Sequence, residues 1–174
     1  MMRRMMLALL AWVCLAAPAA ADDNAICQRE RGDRAIQACT RGIESKAYSG
    51  RELAGLYMNR GVELKQKGQL DAAIADYDRA IAIHPDYPFA FNNRANARRD
   101  KGDLDGAIAD YSAAIALDGD YAAAYTNRGR VHEARNEPQR ARADYEAALA
   151  TSDKHDNSRA ARSFARQRLL GLGR

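Results

Sequence analysis

Large ring side chains are scarce: aromatic residues make up 7% of the 174 positions, with a single tryptophan. Small residues must therefore do much of the packing, which suits closely paired helices better than a sheet sandwich. Signatures of chemistry are missing too. There is no Gly-rich phosphate loop, no HExxH, no nucleophile elbow and no CxxC. The histidines His84, His132 and His155 lack ligand spacing, and Asp153, His155 and Asp156 read as a solvated turn before they read as a metal site. No catalytic residue, metal or cofactor is expected, and an enzyme is disfavoured. Charge of one sign is modest, 27 basic against 23 acidic residues. A nucleic-acid binder concentrates a much stronger basic field, so no nucleic-acid partner is expected.

The one long apolar run lies at the start. Arg3 and Arg4 precede it, and Ala19, Ala20 and Ala21 offer a small-residue cleavage site before Asp22 and Asp23. Residues 1–21 read as a signal peptide, with an uncleaved anchor as the lesser alternative; the run is short of the ~20 residues a spanning helix needs. The expected location is the bacterial periplasm. Cys14 leaves with such a leader, and Cys27 and Cys39 remain. Two cysteines in an oxidising compartment read as one disulfide.

What the chain has in plenty is internal repetition. One pattern is written three times at a spacing of 34 residues: Tyr57-x-x-Arg60-Gly61, Phe91-x-x-Arg94-Ala95 and Tyr125-x-x-Arg128-Gly129. A second group follows each time, Ala73 to Tyr77, Ala107 to Tyr111 and Ala141 to Tyr145. A unit of this length cannot bury its apolar face alone and must stack on a neighbour. Gly68, Gly102 and Asn136 mark the turn between two helices in each unit, because Gly and then Asn best tolerate the left-handed conformation. Ser49 and Glu52 have capping-box spacing, Asp103 is an expected cap, and Glu137 and Pro138 sit where a cap and first helical residue belong. Residues 22–53 read as a worn copy, with Cys39 where Tyr77 and Tyr111 stand later.

These lines resemble the tetratricopeptide repeat. The match gives units at 54–87, 88–121 and 122–155, between the degenerate hairpin and a basic helix at 156–174. The resemblance implies an all-α fold, an α-solenoid of stacked helix-turn-helix hairpins whose first (A) helices line a concave groove used for peptides or partner helices. The last helix reads as a cap; a surface for an anionic membrane or polysaccharide is the second, compatible reading.

One departure from the family pattern stands out. Arg60, Arg94 and Arg128 occupy a leucine position, each with an aspartate 16 residues on: Asp76, Asp110 and Asp144. A buried guanidinium must be paired, so an internal ion-pair ladder is favoured over arginines that line the groove. Arg94 is expected to reach Asp110, or Asp76 of the adjacent unit.

In the family's frame the concave positions are Met58, Asn59, Val62 and Lys65, then Phe89, Asn92, Asn93, Asn96 and Arg99, then Thr126, Asn127, Arg130 and Glu133. Asn92, Asn93, Asn96 and Asn127 are expected to hold an extended peptide through amides that both donate and accept. Lys65, Arg99 and Arg130 are expected to steer an acidic segment. Ordinary solvated helix residues are the alternative. The carboxylate-clamp pattern of chaperone-tail receptors is not met, since only Asn93 fits it.

Overall fold

A computed structural model describes residues 19–152 and 154–172. The expected leader lies outside them except for its last three residues, which open the first helix. The described residues form nine helices: α1 (Ala19–Arg29), α2 (Gly32–Glu44), α3 (Gly50–Gln66), α4 (Leu70–Ile83), α5 (Pro88–Asp100), α6 (Leu104–Leu117), α7 (Ala122–Ala134), α8 (Pro138–Ala150) and α9 (Ser158–Leu172). They pair as four hairpins and a terminal helix, an all-α solenoid.

The hairpin turns are closed alike. Gly68, Gly102 and Asn136 take φ of 76°, 88° and 59°. In each, the amide one residue further on donates to a carbonyl five residues back: Gln69 to Leu64, Asp103 to Arg98 and Glu137 to His132, all at 2.9 Å. That bond satisfies a carbonyl the helix end would otherwise leave open. Of the expected caps, Asp103 accepts from the Gly106 amide at 2.9 Å. Ser49 makes no side-chain cap: Gly50 enters α3 at φ 51°, and the left-handed entry takes the serine oxygen off the first-turn amides. Glu137 does not cap either, because its carboxylate is drawn to His132, 2.7 Å away.

Within a hairpin, small residues let the helices approach. A methyl group added at Gly61 would stand 2.7 Å from the Tyr77 ring, and one at Gly129 would stand 2.8 Å from Tyr145. Tyr77, Tyr111 and Tyr145 are fully buried beside them. Between hairpins, α3 touches α5, α5 touches α7 and α7 touches α9, whereas α4, α6 and α8 do not touch one another. The odd-numbered helices therefore lie on the inside of the curve. This inner face is where the sequence directs attention.

Candidate binding face

The recurring arginines are spent on holding the stack together. Arg60 donates through Nε and Nη2 to both oxygens of Asp76, each at 2.7 Å. Arg94 forks onto Asp110 at 2.8 and 2.7 Å, and Arg128 onto Asp144 at 3.0 and 2.7 Å. The three carboxylates are buried. Each guanidinium also lies over the ring three residues before it, Tyr57, Phe91 or Tyr125, at 5.5–5.8 Å. The remaining nitrogen, Nη1, crosses to the preceding hairpin: to Thr40 at 3.0 Å, Asp78 at 2.6 Å and Ser112 at 2.9 Å. Arg94 thus reaches the adjacent unit at Asp78 and not at Asp76, because Asp76 is already filled by Arg60. Hydrogen bonding to Asp76 raises the Arg60 pKa against the opposing effect of burial. A second, exposed ladder runs outside the first, with Lys67 on Asp33, Lys101 on Asp71 and Arg135 on Asp105.

On the inner face the expected peptide-holding residues divide. Asn127 Nδ2 donates to Asn92 Oδ1 at 3.2 Å, joining α7 to α5. Asn93 Nδ2 lies 3.7 Å from Met58 Sδ, joining α5 to α3. Asn92 is almost wholly buried, so of this pair Asn127 presents more to a ligand. Asn96 belongs to the hairpin: its Oδ1 accepts from the Tyr111 hydroxyl at 2.7 Å. In the first full unit Val62 stands at that place, and the Tyr77 hydroxyl finds no acceptor among the described residues. Lys65 and Arg99 share one counter-ion, and Arg99 Nη1 is left without a partner among the described residues. Both hold Asp100, at 2.8 and 2.9 Å. Burial pushes that carboxyl up, and the two donors outweigh it and hold it below the usual range.

Arg130 differs from them. Its guanidinium lies 5.3 Å over the Phe164 ring of α9. It lines a cleft of about 260 Å³ between α7 and α9, with Asn127 and Asn157 as the other large polar groups. Further along the same junction, Thr126 Oγ1 donates to the Ala161 carbonyl at 3.3 Å and Arg168 forks onto Glu133. Phe89, expected on the inner face, packs edge-on against Tyr121 and His155.

Residues 61–98 and 95–136 match the family profile described as TPR repeat, and residues 122–154 the one described as tetratricopeptide repeat. The two together span more than half of the chain. The chain belongs to the tetratricopeptide-repeat (TPR) family. Among solved structures it is similar to the first TPR domain of human RPAP3, at 26% identity and TM-score 0.59 over 71% of this chain and 98% of that one. It is also similar to the first TPR of Spaghetti (RPAP3) bound to the HSP90 peptide SRMEEVD, at 25% identity and TM-score 0.58, with the same coverage of 71% and 98%. MamA protein shares the fold at 20% identity and TM-score 0.67, over 88% of this chain and 84% of that one. Comparison with curated proteins finds no match.

Two features of this TPR array escape sequence reasoning. His155 is no solvated turn residue: its Nε2 is 2.8 Å from Asp118, and its ring meets Phe89 and Tyr121 edge-on. Lys154 joins the same carboxylate at 3.1 Å, and Ser152 bonds Asp120 at 2.6 Å. These contacts clasp the α8–α9 linker onto the α6–α7 turn, and the only forewarning is the acidic pair Asp118 and Asp120 flanking Gly119. Burial pushes Asp118 up, but Lys154, the Asp120 amide and His155 outweigh it and lower its pKa. The other is Glu63, buried where the later TPR units carry Ala97 and Val131; it accepts from the Gly32 amide at 2.7 Å. No group of three His, Cys, Asp or Glu residues is placed to hold a metal among the described residues, and no described helix is long and apolar enough to cross a membrane.

Proposed function

We propose that the chain is a non-enzymatic scaffold of the bacterial periplasm that holds a peptide or protein segment against its inner face. The observation that carries this reading is the amide row Asn93, Asn92 and Asn127 across α5 and α7. The Asn92–Asn127 bond uses one N–H of Asn127 and the oxygen of Asn92, and leaves the second N–H and the oxygen of Asn127 for a backbone laid across them. The RPAP3 neighbour, at the identity given above, holds a peptide, which supports a ligand of that kind. The apparent leader and the joined Cys27 and Cys39 support export to an oxidising compartment.

The competing reading places the basic helix α9 on an anionic membrane or polysaccharide. Arg168 is occupied by Glu133 and Arg162 by the Thr151 carbonyl, so less of that positive charge faces outward than the sequence suggests.

The partner is sought by cross-linking and co-purification from native envelope extract, and its affinity measured by isothermal titration. Asn93→Ala and Asn127→Ala should each bind at least several-fold more weakly. Wild-type affinity in both would move the site off the amide row, and binding lost on removal of 156–174 but kept in Arg130→Gln as well would favour the anionic surface.

A further inference from the structure

The inner face ends in a cleft. One wall is α7, with Ala123, Asn127 and Arg130; the other is α9 and the residue before it, with Asn157, Ala161 and Phe164. Its volume of about 260 Å³ falls below the roughly 300–1,000 Å³ of sites that enclose a small molecule. It suits a side chain or a chain end. No carboxylate lines it, and its largest polar group is a cation.

Arg130 sets this cleft apart from the rest of the face. Lys65 and Arg99 share the Asp100 carboxylate, whereas Arg130 rests on Phe164 and makes no ion pair among the described residues. A guanidinium lying on a ring keeps its planar N–H edge for an acceptor with two oxygens, the geometry a carboxylate offers. The methyl groups of Ala123 and Ala161 leave room beside it for a short stretch of chain, and the Asn127 amide is at hand for its backbone.

We infer that the α7–α9 cleft binds a carboxylate of the partner segment, with Arg130 as its counter-ion. The inference rests on the proposed reading of the inner face and adds the chemistry of its ligand, an acidic peptide. It also gives α9 a second task, since the helix that covers the last repeat supplies half of the cleft. An Asp or Glu side chain and a chain terminus present the same group.

Three peptide probes separate these sources in amide-shift titrations of the isotope-labelled chain. Acetyl-Ala-Ala-Glu-Ala-Ala-amide carries only a side-chain carboxylate, acetyl-Ala-Ala-Ala-Ala with a free end only a terminal one, and acetyl-Ala-Ala-Gln-Ala-Ala-amide carries none. The expected result is movement of the 126–130 and 157–164 amides with one or both carboxylate probes and not with the neutral one. Binding should weaken at least five-fold in Arg130→Gln, a substitution at an exposed position. Ala160→Glu, which sets a carboxylate of the chain's own on the cleft lining, should exclude the probes to a similar degree. An equal response to the neutral probe, no response to any probe, or unchanged binding in Arg130→Gln overturns the inference. A natural partner that needs Asn93 but ignores Arg130→Gln would remove the cleft and leave the peptide face standing. Carboxylate binding that needs Arg130, with a partner indifferent to Asn93, would do the reverse.

Discussion

The two ends of the stack meet one problem with different chemistry. Each terminal unit has a flank with no repeat to lean on. At the N-terminal end the answer is covalent and buried: Cys27 and Cys39 are joined, with Cα atoms 4.9 Å apart, and Cys39 fills the place that a tyrosine fills in every later unit. Glu63 and Arg60 tie that hairpin to the next through Gly32 and Thr40. At the C-terminal end the answer is ionic and aromatic. Helix α9 lies on α7 and α8, its linker is clasped by Asp118 and Asp120, and Arg168 forks onto Glu133. The second closure also forms a cleft, between α7 and α9. One end should answer to reductant, the other to acid.

The largest expected effect breaks the joint at the first end. Arg60→Ala strands the buried Asp76 carboxylate, whose hydrogen bonds in the structure come from Arg60 alone among the described residues, and should cost about 3 kcal/mol or more in chemical denaturation. Arg94→Ala is the control within the repeats. There Asp110 keeps Arg98 at 2.8 Å, so the loss should be smaller, about 2 kcal/mol. Equal losses would mean that the second arginine contributes nothing.

Next comes the staple. Non-reducing mass spectrometry of protein from the envelope should find Cys27 and Cys39 bonded; two free thiols would refute the covalent closure and weaken the case for export. The double substitution Cys27→Ser, Cys39→Ser should cost about 3 kcal/mol in the chain-entropy model. It should speed amide exchange in α1 and α2 while α5–α8 stay protected. Uniform loss of protection would show that the end hairpin and the repeats unfold as one.

The smallest effect belongs to the clasp. The folded Asp118 carboxyl has a lowered pKa, so its stabilisation is complete above about pH 4 and is lost as the pH falls through the depressed folded value. Asp100 shifts the same way, so a local readout is needed. Amide exchange in 158–172, corrected for intrinsic rates, should rise at pH 3, and Asp118→Asn should reproduce that rise at neutral pH. No rise in the variant would assign the seating of α9 to packing alone.

The fold is legible because its devices recur. The 34-residue period aligns small residues, tyrosines and turn positions, and the pairing of each arginine with an aspartate 16 residues on is written three times. The third bond of each arginine escapes notice because its acceptor changes letter, from Thr40 to Asp78 to Ser112. Most of the site is written once, and single occurrences carry no pattern. Lys65 and Arg99 read as open cations because Asp100 meets Lys65 only across the α3–α5 contact. Asn96 reads as a ligand group although its partner Tyr111 lies in the facing helix. Phe164 gives no sign in the sequence that it will lie beneath Arg130.

The ladders also say how such an array can lengthen. The two joints between full repeats are split in the same way: a unit offers an acceptor behind its tyrosine and an aspartate at the start of its second helix, and receives an arginine and a second cation from the unit that follows. A duplicated block of 34 residues therefore arrives with both halves of its joints already in register, and growth by whole periods needs no new invention. The joint itself tolerates a longer connection: Thr40 and Arg60 stand 20 residues apart, against 16 for Asp78 and Arg94 and for Ser112 and Arg128.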